Sequence, residues 1–261
     1  MGDQNEKNQT RPGTFSMGRL IELRSHEVET STDCLSAYDQ LHEEGYLQQK
    51  DSFYKWLLSL IPLCPGKQIL DISCGRGRLL HFAQEARLKT TGIDLSPAAV
   101  KAASQVAPSS NLTVANAENL PFKKGLFNYL TNIGSLEHYF NPARAIKEMS
   151  RVLAPTGLAL VLLPNTFGLL GNIFHVWRTG DVFDDGQPLQ RYGTPVQWST
   201  LLQENGLRVI RVIKYEREFP RTWRDGCWYL LHPHKLVRVF LSFLVPQNMA
   251  SFLVYLCRKA E

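Results

Sequence analysis

The 261-residue sequence holds no CxxC pair, no unbroken apolar stretch of membrane-spanning length, no dense basic run and no internal repeat. Each absence excludes something. The five cysteines, Cys34, Cys64, Cys74, Cys227 and Cys257, are odd in number and widely separated, so neither a zinc knuckle nor a disulfide framework is indicated. Reduced thiols in a cytoplasmic setting are the expectation. Lys and Arg number 29 against 24 Asp and Glu, a net charge of +5 that is scattered along the chain, and no nucleic-acid partner is expected. The first thirteen residues are polar and lack an apolar signal core, so residues 1–31 read as a disordered lead-in. Gly2 is followed by Asn5 and Glu6, a poor match to a myristoylation site, which wants Ser or Thr.

What is present is an ordinary folding composition, 44% hydrophobic and 20% charged. Residues 32–261 are read as a single α/β domain with insertions at about 165–193 and 217–249. Tyr38, Leu41, Tyr46, Leu47, Phe53, Trp56, Leu57, Leu60 and Ile61 recur at helical spacing until Pro65-Gly66. Short apolar strands then alternate with helical patterns. Strands are expected at 68–72, 90–95, 112–115, 126–133 and 158–163. Ser96-Pro97 and Asn141-Pro142 read as helix starts, with the first residue capping and proline in the first turn. Such alternation implies a mostly parallel sheet with right-handed crossovers. Further on, a helix over 195–204 and strands over 207–215 and 251–258 are expected. A short apolar helix is read in the first insertion and a longer one near 234–245 in the second.

The strongest local signal is Ile69-Leu-Asp-Ile-Ser-Cys-Gly-Arg-Gly-Arg-Leu80, a strand ending in a small-residue turn that opens a helix. Glycines at 75 and 77 let the backbone approach a ligand closely. Asp94 ends the next strand, 23 residues after Asp71, where a carboxylate can accept both hydroxyl hydrogens of a ribose. The plainer role for Asp94 is to cap the helix that begins near Pro97.

These segments resemble the class I S-adenosylmethionine-dependent methyltransferases, in particular the ubiquinone-type and small-molecule enzymes. Besides the turn at 69–80, the resemblance rests on Gly92-Ile-Asp-Leu-Ser-Pro97, Asn116-Ala-Glu-Asn-Leu-Pro-Phe122, Phe127-Asn-Tyr-Leu-Thr-Asn-Ile-Gly-Ser-Leu-Glu-His138 and Glu148-Met-Ser-Arg-Val-Leu153. It covers roughly residues 66–164. It implies a Rossmann-like, mostly parallel seven-stranded sheet, order 3-2-1-4-5-7-6 with the last strand antiparallel, capped by the C-terminal insertions. It implies S-adenosyl-L-methionine as cofactor. By the same likeness Asp71, Ser73, Cys74, Gly75 and Gly77 border the methionine end, and Asp94 takes the ribose. Leu95 flanks the adenine, Asn116 and the backbone at Ala117 read its edge, and Asn132 sits beneath the sulfonium. Ser73 stands where the family usually has a glycine. Asn116 and Asn128 stand where aspartates are usual.

Methyl transfer from a sulfonium is an in-line displacement, and a neutral acceptor must also lose a proton. The loop after the fourth strand makes Glu137 and His138 candidates, with histidine suited to a base near neutral pH. The alternative is that His138 only holds the scaffold. Tyr192 can orient an acceptor and Trp198 can wall it, or both belong to a solvent loop and the helix after it. Asp181, Asp184, Asp185 and His175 lie far in sequence from the strand ends, His232 and His234 have no third ligand nearby, and no metal is expected. The apolar 234–245 helix is read as core or lid packing, or as a peripheral membrane contact. As a lid it would cover a small, lipophilic or aromatic acceptor.

Three other classes are the alternatives. A nicotinamide dehydrogenase would share the glycine turn but not the 116–122 and 134–138 segments. A nucleic-acid methyltransferase usually carries an acceptor-reading motif or a basic appended domain, and neither Asn-Pro-Pro-Tyr nor Pro-Cys occurs here. A protein of this fold that catalyses a non-methylating reaction, or only binds a partner, would have the same pocket.

Overall fold

The computed structural model describes residues 20–24, 49–184 and 186–260. The helical pattern expected through Tyr38, Leu41, Tyr46 and Leu47 lies outside the described residues. Helix α1 (Asp51–Leu58) enters the domain, followed by β2 (Gln68–Ile72), α2 (Arg78–Glu85), β3 (Lys89–Asp94), α3 (Pro97–Val106), β4 (Asn111–Val114) and β5 (Phe127–Ile133). Next come α4 (Pro142–Val152), β6 (Leu153–Pro164), α5 (Phe174–Thr179), β7 (Leu189–Tyr192), α6 (Pro195–Glu204) and β8 (Leu207–Tyr215). Helices α7 (Trp223–Leu231) and α8 (Pro233–Leu241) lead to β9 (Phe252–Lys259). Strand β1 (Ile21–Arg24) precedes them all.

Seven strands form one sheet in the order β4-β3-β2-β5-β6-β9-β8. Counted within that sheet alone, the order is 3-2-1-4-5-7-6. β9 runs antiparallel to both β6 and β8, and the remaining pairings are parallel. The remaining two strands, β1 and β7, make a separate antiparallel pair. Residues 21–24 were expected in a disordered lead-in; they are instead a strand tied to the first insertion. A four-residue strand whose partner lies about 170 residues away leaves little periodic signal.

The side-chain alternation of the central strands explains the layering. On one face Leu70, Ile72, Val161 and Leu163 pack with Ile146 and Met149 of α4 and Trp198 of α6. On the other, Ile69, Leu160 and Leu162 meet Phe53 and Leu57 of α1 and Phe82 of α2. Helix starts follow the sequence: Ser96 Oγ accepts from Ala99 N at 3.1 Å and Asn141 Oδ1 from Arg144 N at 3.0 Å. Thr194 and Gln197 form a capping box on α6. Trp198, expected as a pocket wall, is fully buried in the core and donates from its indole to Pro164 O at 2.8 Å.

The two insertions differ in role. The first folds over the carboxyl ends of the strands. Its glycines sit on Ser251: a Cβ at Gly168 would lie 2.7 Å from the Ser251 Cα. The second packs against α1, where Asp225 accepts from both Ser52 N (2.8 Å) and Ser52 Oγ (2.6 Å).

Candidate active site

A cavity of about 730 Å³ lies at the carboxyl ends of β2, β3, β5 and β6. That is where ligands bind in open sheets of this kind, at the point where strand order reverses. Asp71, Ser73, Cys74, Gly75, Asp94, Leu95, Asn116, Ala117, Glu137, His138 and Tyr192 all line it. Two expected residues do not. Gly77 is the left-handed cap of α2 (φ 75°) and packs on α3, where an added Cβ would meet Ala103 Cβ at 2.9 Å. Asn132 is fully buried behind the wall; its amide donates to the Tyr139 hydroxyl (2.6 Å) and the Ile72 carbonyl (3.3 Å), and its oxygen accepts from Leu136 N (3.1 Å). Tyr139 is what faces the cavity.

The glycine turn is held by Asp94. One carboxylate oxygen accepts from Gly75 N at 2.9 Å and the other from Ser96 N at 3.0 Å. Asp94 thus orders the loop before the helix, while the cap itself is Ser96 and not Asp94 as the plainer expectation had it. Asp94 also lines the cavity. Asn116 uses its amide oxygen to accept from Glu118 N at 2.8 Å, an Asx turn that fixes the strand-end loop. Ser73 takes the left-handed conformation (φ 59°) that glycine adopts without strain, and its hydroxyl lies 2.7 Å from that of Tyr139. Beneath the turn, Asp71 is buried against Thr131, whose hydroxyl donates to it at 2.7 Å. Burial raises its pKa to about 7; the Thr131 bond opposes this and the nearby Asp94 charge adds to it. Burial also pushes the Cys74 thiol well above its usual value, so that cysteine is no nucleophile here. Two carboxylates under a glycine turn with inward backbone suit a cationic, ribose-bearing ligand such as S-adenosylmethionine.

Glu137 and His138 lie on a single 3-10 turn and are both buried. His138 Nδ1 is 2.6 Å from the Leu189 carbonyl oxygen. A carbonyl can only accept, so Nδ1 carries the hydrogen and Nε2 presents a lone pair in the neutral ring. Nε2 is 3.9 Å from Glu137 Oε1, a position from which the carboxylate stabilises an imidazolium. Tyr192 donates to the Phe183 carbonyl at 3.3 Å, fastening the first insertion over the cavity.

Several site residues went unread in the sequence. Arg191, beside the Tyr192 that was singled out, is buried and clamps the loop after β5 by donating to the Tyr139 and Phe140 carbonyls while pairing with Glu22 at 2.8 Å. Gln190 is buried at the cavity wall, and its Oε1 has no hydrogen-bond partner among the described residues. Arg238 is the one cavity-lining residue from the second insertion. The expected lid over 234–245 is therefore corrected: Leu170, Phe174, His175, Arg178 and Phe183 of the first insertion close the cavity. Asp225 ties the second insertion to α1, and of that insertion Arg238 alone among the described residues reaches the cavity.

The sheet order and the glycine-turn cavity resemble those of the class I S-adenosylmethionine-dependent methyltransferases. Residues 70–161 match the family model described as a methyltransferase domain, and the cofactor of that class is S-adenosyl-L-methionine. Norajmaline N-methyltransferase of Rauvolfia serpentina is 38% identical over 104 residues, 37% of this chain and 35% of that protein. The ubiquinone/menaquinone biosynthesis C-methyltransferase of Geotalea daltonii is 30% identical over 137 residues, 48% of this chain and 58% of that protein. The chain thus spans only about a third to a little over half the length of these relatives. Burkholderia thailandensis 1,6-didemethyltoxoflavin-N1-methyltransferase shares the fold at TM-score 0.58 and 14% identity, covering 93% of this chain and 95% of that one.

Proposed function

We propose that the protein transfers the methyl group of S-adenosylmethionine to a small, lipophilic or aromatic acceptor bearing a hydroxyl or amine. The carrying observation is the contrast between the two sides of one cavity. Gly75, Asp94 and Asn116 make a polar cofactor side, while Phe53, Phe174, Phe183, Leu162 and Phe252 add apolar surface to the remaining wall beside His138 and Gln190. Its volume falls within the roughly 300–1,000 Å³ typical of small-molecule sites. An apolar acceptor gains from such walls at about 25 cal/mol per Å² buried.

The bound cofactor supplies an electrophilic methyl group. The chain's own residues do the rest. Asp94 and the Asn116–Ala117 edge hold and orient the nucleoside, and the loop clamped by Arg191 keeps Tyr139 and His138 in place. His138 Nε2 takes the acceptor proton and Glu137 steadies the resulting imidazolium. The Gln190 amide oxygen accepts a hydrogen from the acceptor, and Tyr192 holds the cover down.

Incubation with methyl-labelled S-adenosylmethionine and a panel of lipophilic phenols and amines tests this. Label should pass into an organic-extractable product. A protein that binds the cofactor yet labels no member of the panel, or labels only acceptors without a hydroxyl or amine, contradicts the reading.

A further inference from the structure

We propose that the outer face of the α7–α8 insertion docks this protein on an anionic lipid surface. The observation is an exposed apolar face with charge of one sign around it. Leu230, Leu231 and Leu244 are 76–79% exposed, and Phe240 and Phe243 stand more than half in solvent. The Phe219 ring lies 6.2 Å from that of Phe240 and 5.8 Å from that of Phe243, so the three make one cluster. Contiguous exposed apolar surface of this kind marks an interaction site.

Charge selects the partner. Between residues 216 and 246 the carboxylates are Glu216, Glu218 and Asp225, and all three are buried. Each is engaged internally: Glu216 accepts from Ser251, Glu218 from Tyr215 and Asp225 from Ser52. Arg221 and Arg224 are exposed and Lys235 half-buried. Among the described residues from 216 to 246, the charge left exposed is consequently all cationic. A second copy of the chain would meet this face with its own like charges in a two-fold contact. A bilayer bearing anionic headgroups offers the opposite charge to the rim and hydrocarbon to the rings. No helix among the described residues is long and apolar enough to cross a membrane, and α8 has nine residues, so it lies in the interface plane.

Flotation of the full chain with vesicles tests the proposal. Vesicles of phosphatidylcholine containing about one third phosphatidylglycerol should carry the protein up, and pure phosphatidylcholine should carry much less. High salt should weaken the partition through screening. Phe240→Ser with Leu244→Ser, and separately Arg224→Glu with Lys235→Glu, should each reduce it by about tenfold. All four residues carry exposed or half-exposed side chains outside the cavity, so thermal unfolding and S-adenosylhomocysteine binding should stay at wild-type values. The proposal is overturned by absence of partition onto the anionic vesicles, by equal partition onto both kinds, or by partition that neither variant alters. It is likewise overturned if the apolar variant only disperses a dimer of the free protein.

Discussion

The Tyr139 hydroxyl lies 2.7 Å from that of Ser73, joining the loop after β5 to the turn that ends β2. Asn132 donates to the same phenol at 2.6 Å, so the phenol hydrogen is left for Ser73. Burial drives the Tyr139 pKa far up, and the group is a neutral donor at any working pH. It compensates for a serine held in the left-handed region, a conformation that costs a non-glycine residue roughly 1–2 kcal/mol.

Tyr139→Phe should therefore cost about 1–3 kcal/mol, because Asn132 and Ser73 lose a buried partner. Denaturant unfolding measures this. Calorimetry should also show several-fold weaker S-adenosylhomocysteine binding, because the turn loses its tether. Wild-type values in both measurements would mean that the contact carries no weight.

Gly77→Ala should destabilise the fold before it touches ligand binding. The left-handed backbone costs about 1–2 kcal/mol for alanine, and the new methyl would press on Ala103. Measured against Ala103→Gly alone, which carries its own helix penalty of about 1 kcal/mol, Gly77→Ala should cost less than in the wild type. Some cost should stay, since the residue 103 backbone still lies 3.1 Å from the new Cβ. Unfolding curves that show an equal cost in both backgrounds would refute this packing role.

Asp71 makes stability and cofactor binding respond to pH in opposite senses. Its folded pKa, about 7, exceeds the unfolded value of the carboxyl, so between them the folded state holds the extra proton. The contribution to stability is complete below the unfolded pKa and is lost as pH rises towards 7. The cationic cofactor favours the ionised carboxylate, so its affinity should rise between about pH 6 and 8, with proton release on binding. S-adenosylhomocysteine, which lacks the sulfonium charge, should show a weaker slope, and Asp71→Asn should remove it. Calorimetry in buffers of different ionisation enthalpy reads the proton directly. A slope that survives in Asp71→Asn would assign it elsewhere.

His138→Gln should keep cofactor affinity while slowing turnover of a neutral hydroxyl or amine acceptor by roughly 10²-fold or more, the usual range for a lost general base. Acceptors that are already anionic should be spared. Equal losses on both kinds of acceptor would make His138 a scaffold residue held by Leu189, and would leave the proton to water.

How much of this was legible beforehand depends on how local the physics is. The parallel core from Gln68 to Pro164 followed from apolar runs and caps, because each strand and helix there carries its own periodicity. The small-residue turn at 73–77 and Asp94 announced a ligand crevice, because close backbone approach demands those residue types in one short stretch. What tertiary packing decided was which insertion covers that crevice. Both are apolar in sequence, yet Gly168 and Gly171 seat the first on Ser251 while Asp225 draws the second onto α1. Composition cannot tell an apolar helix that closes a cavity from one left facing outward. Tyr139 and Arg191 stayed unread because Ser73 and Glu22, which they meet, lie far along the chain, and Gln190 because only the folded sheet ends bring it to the cavity.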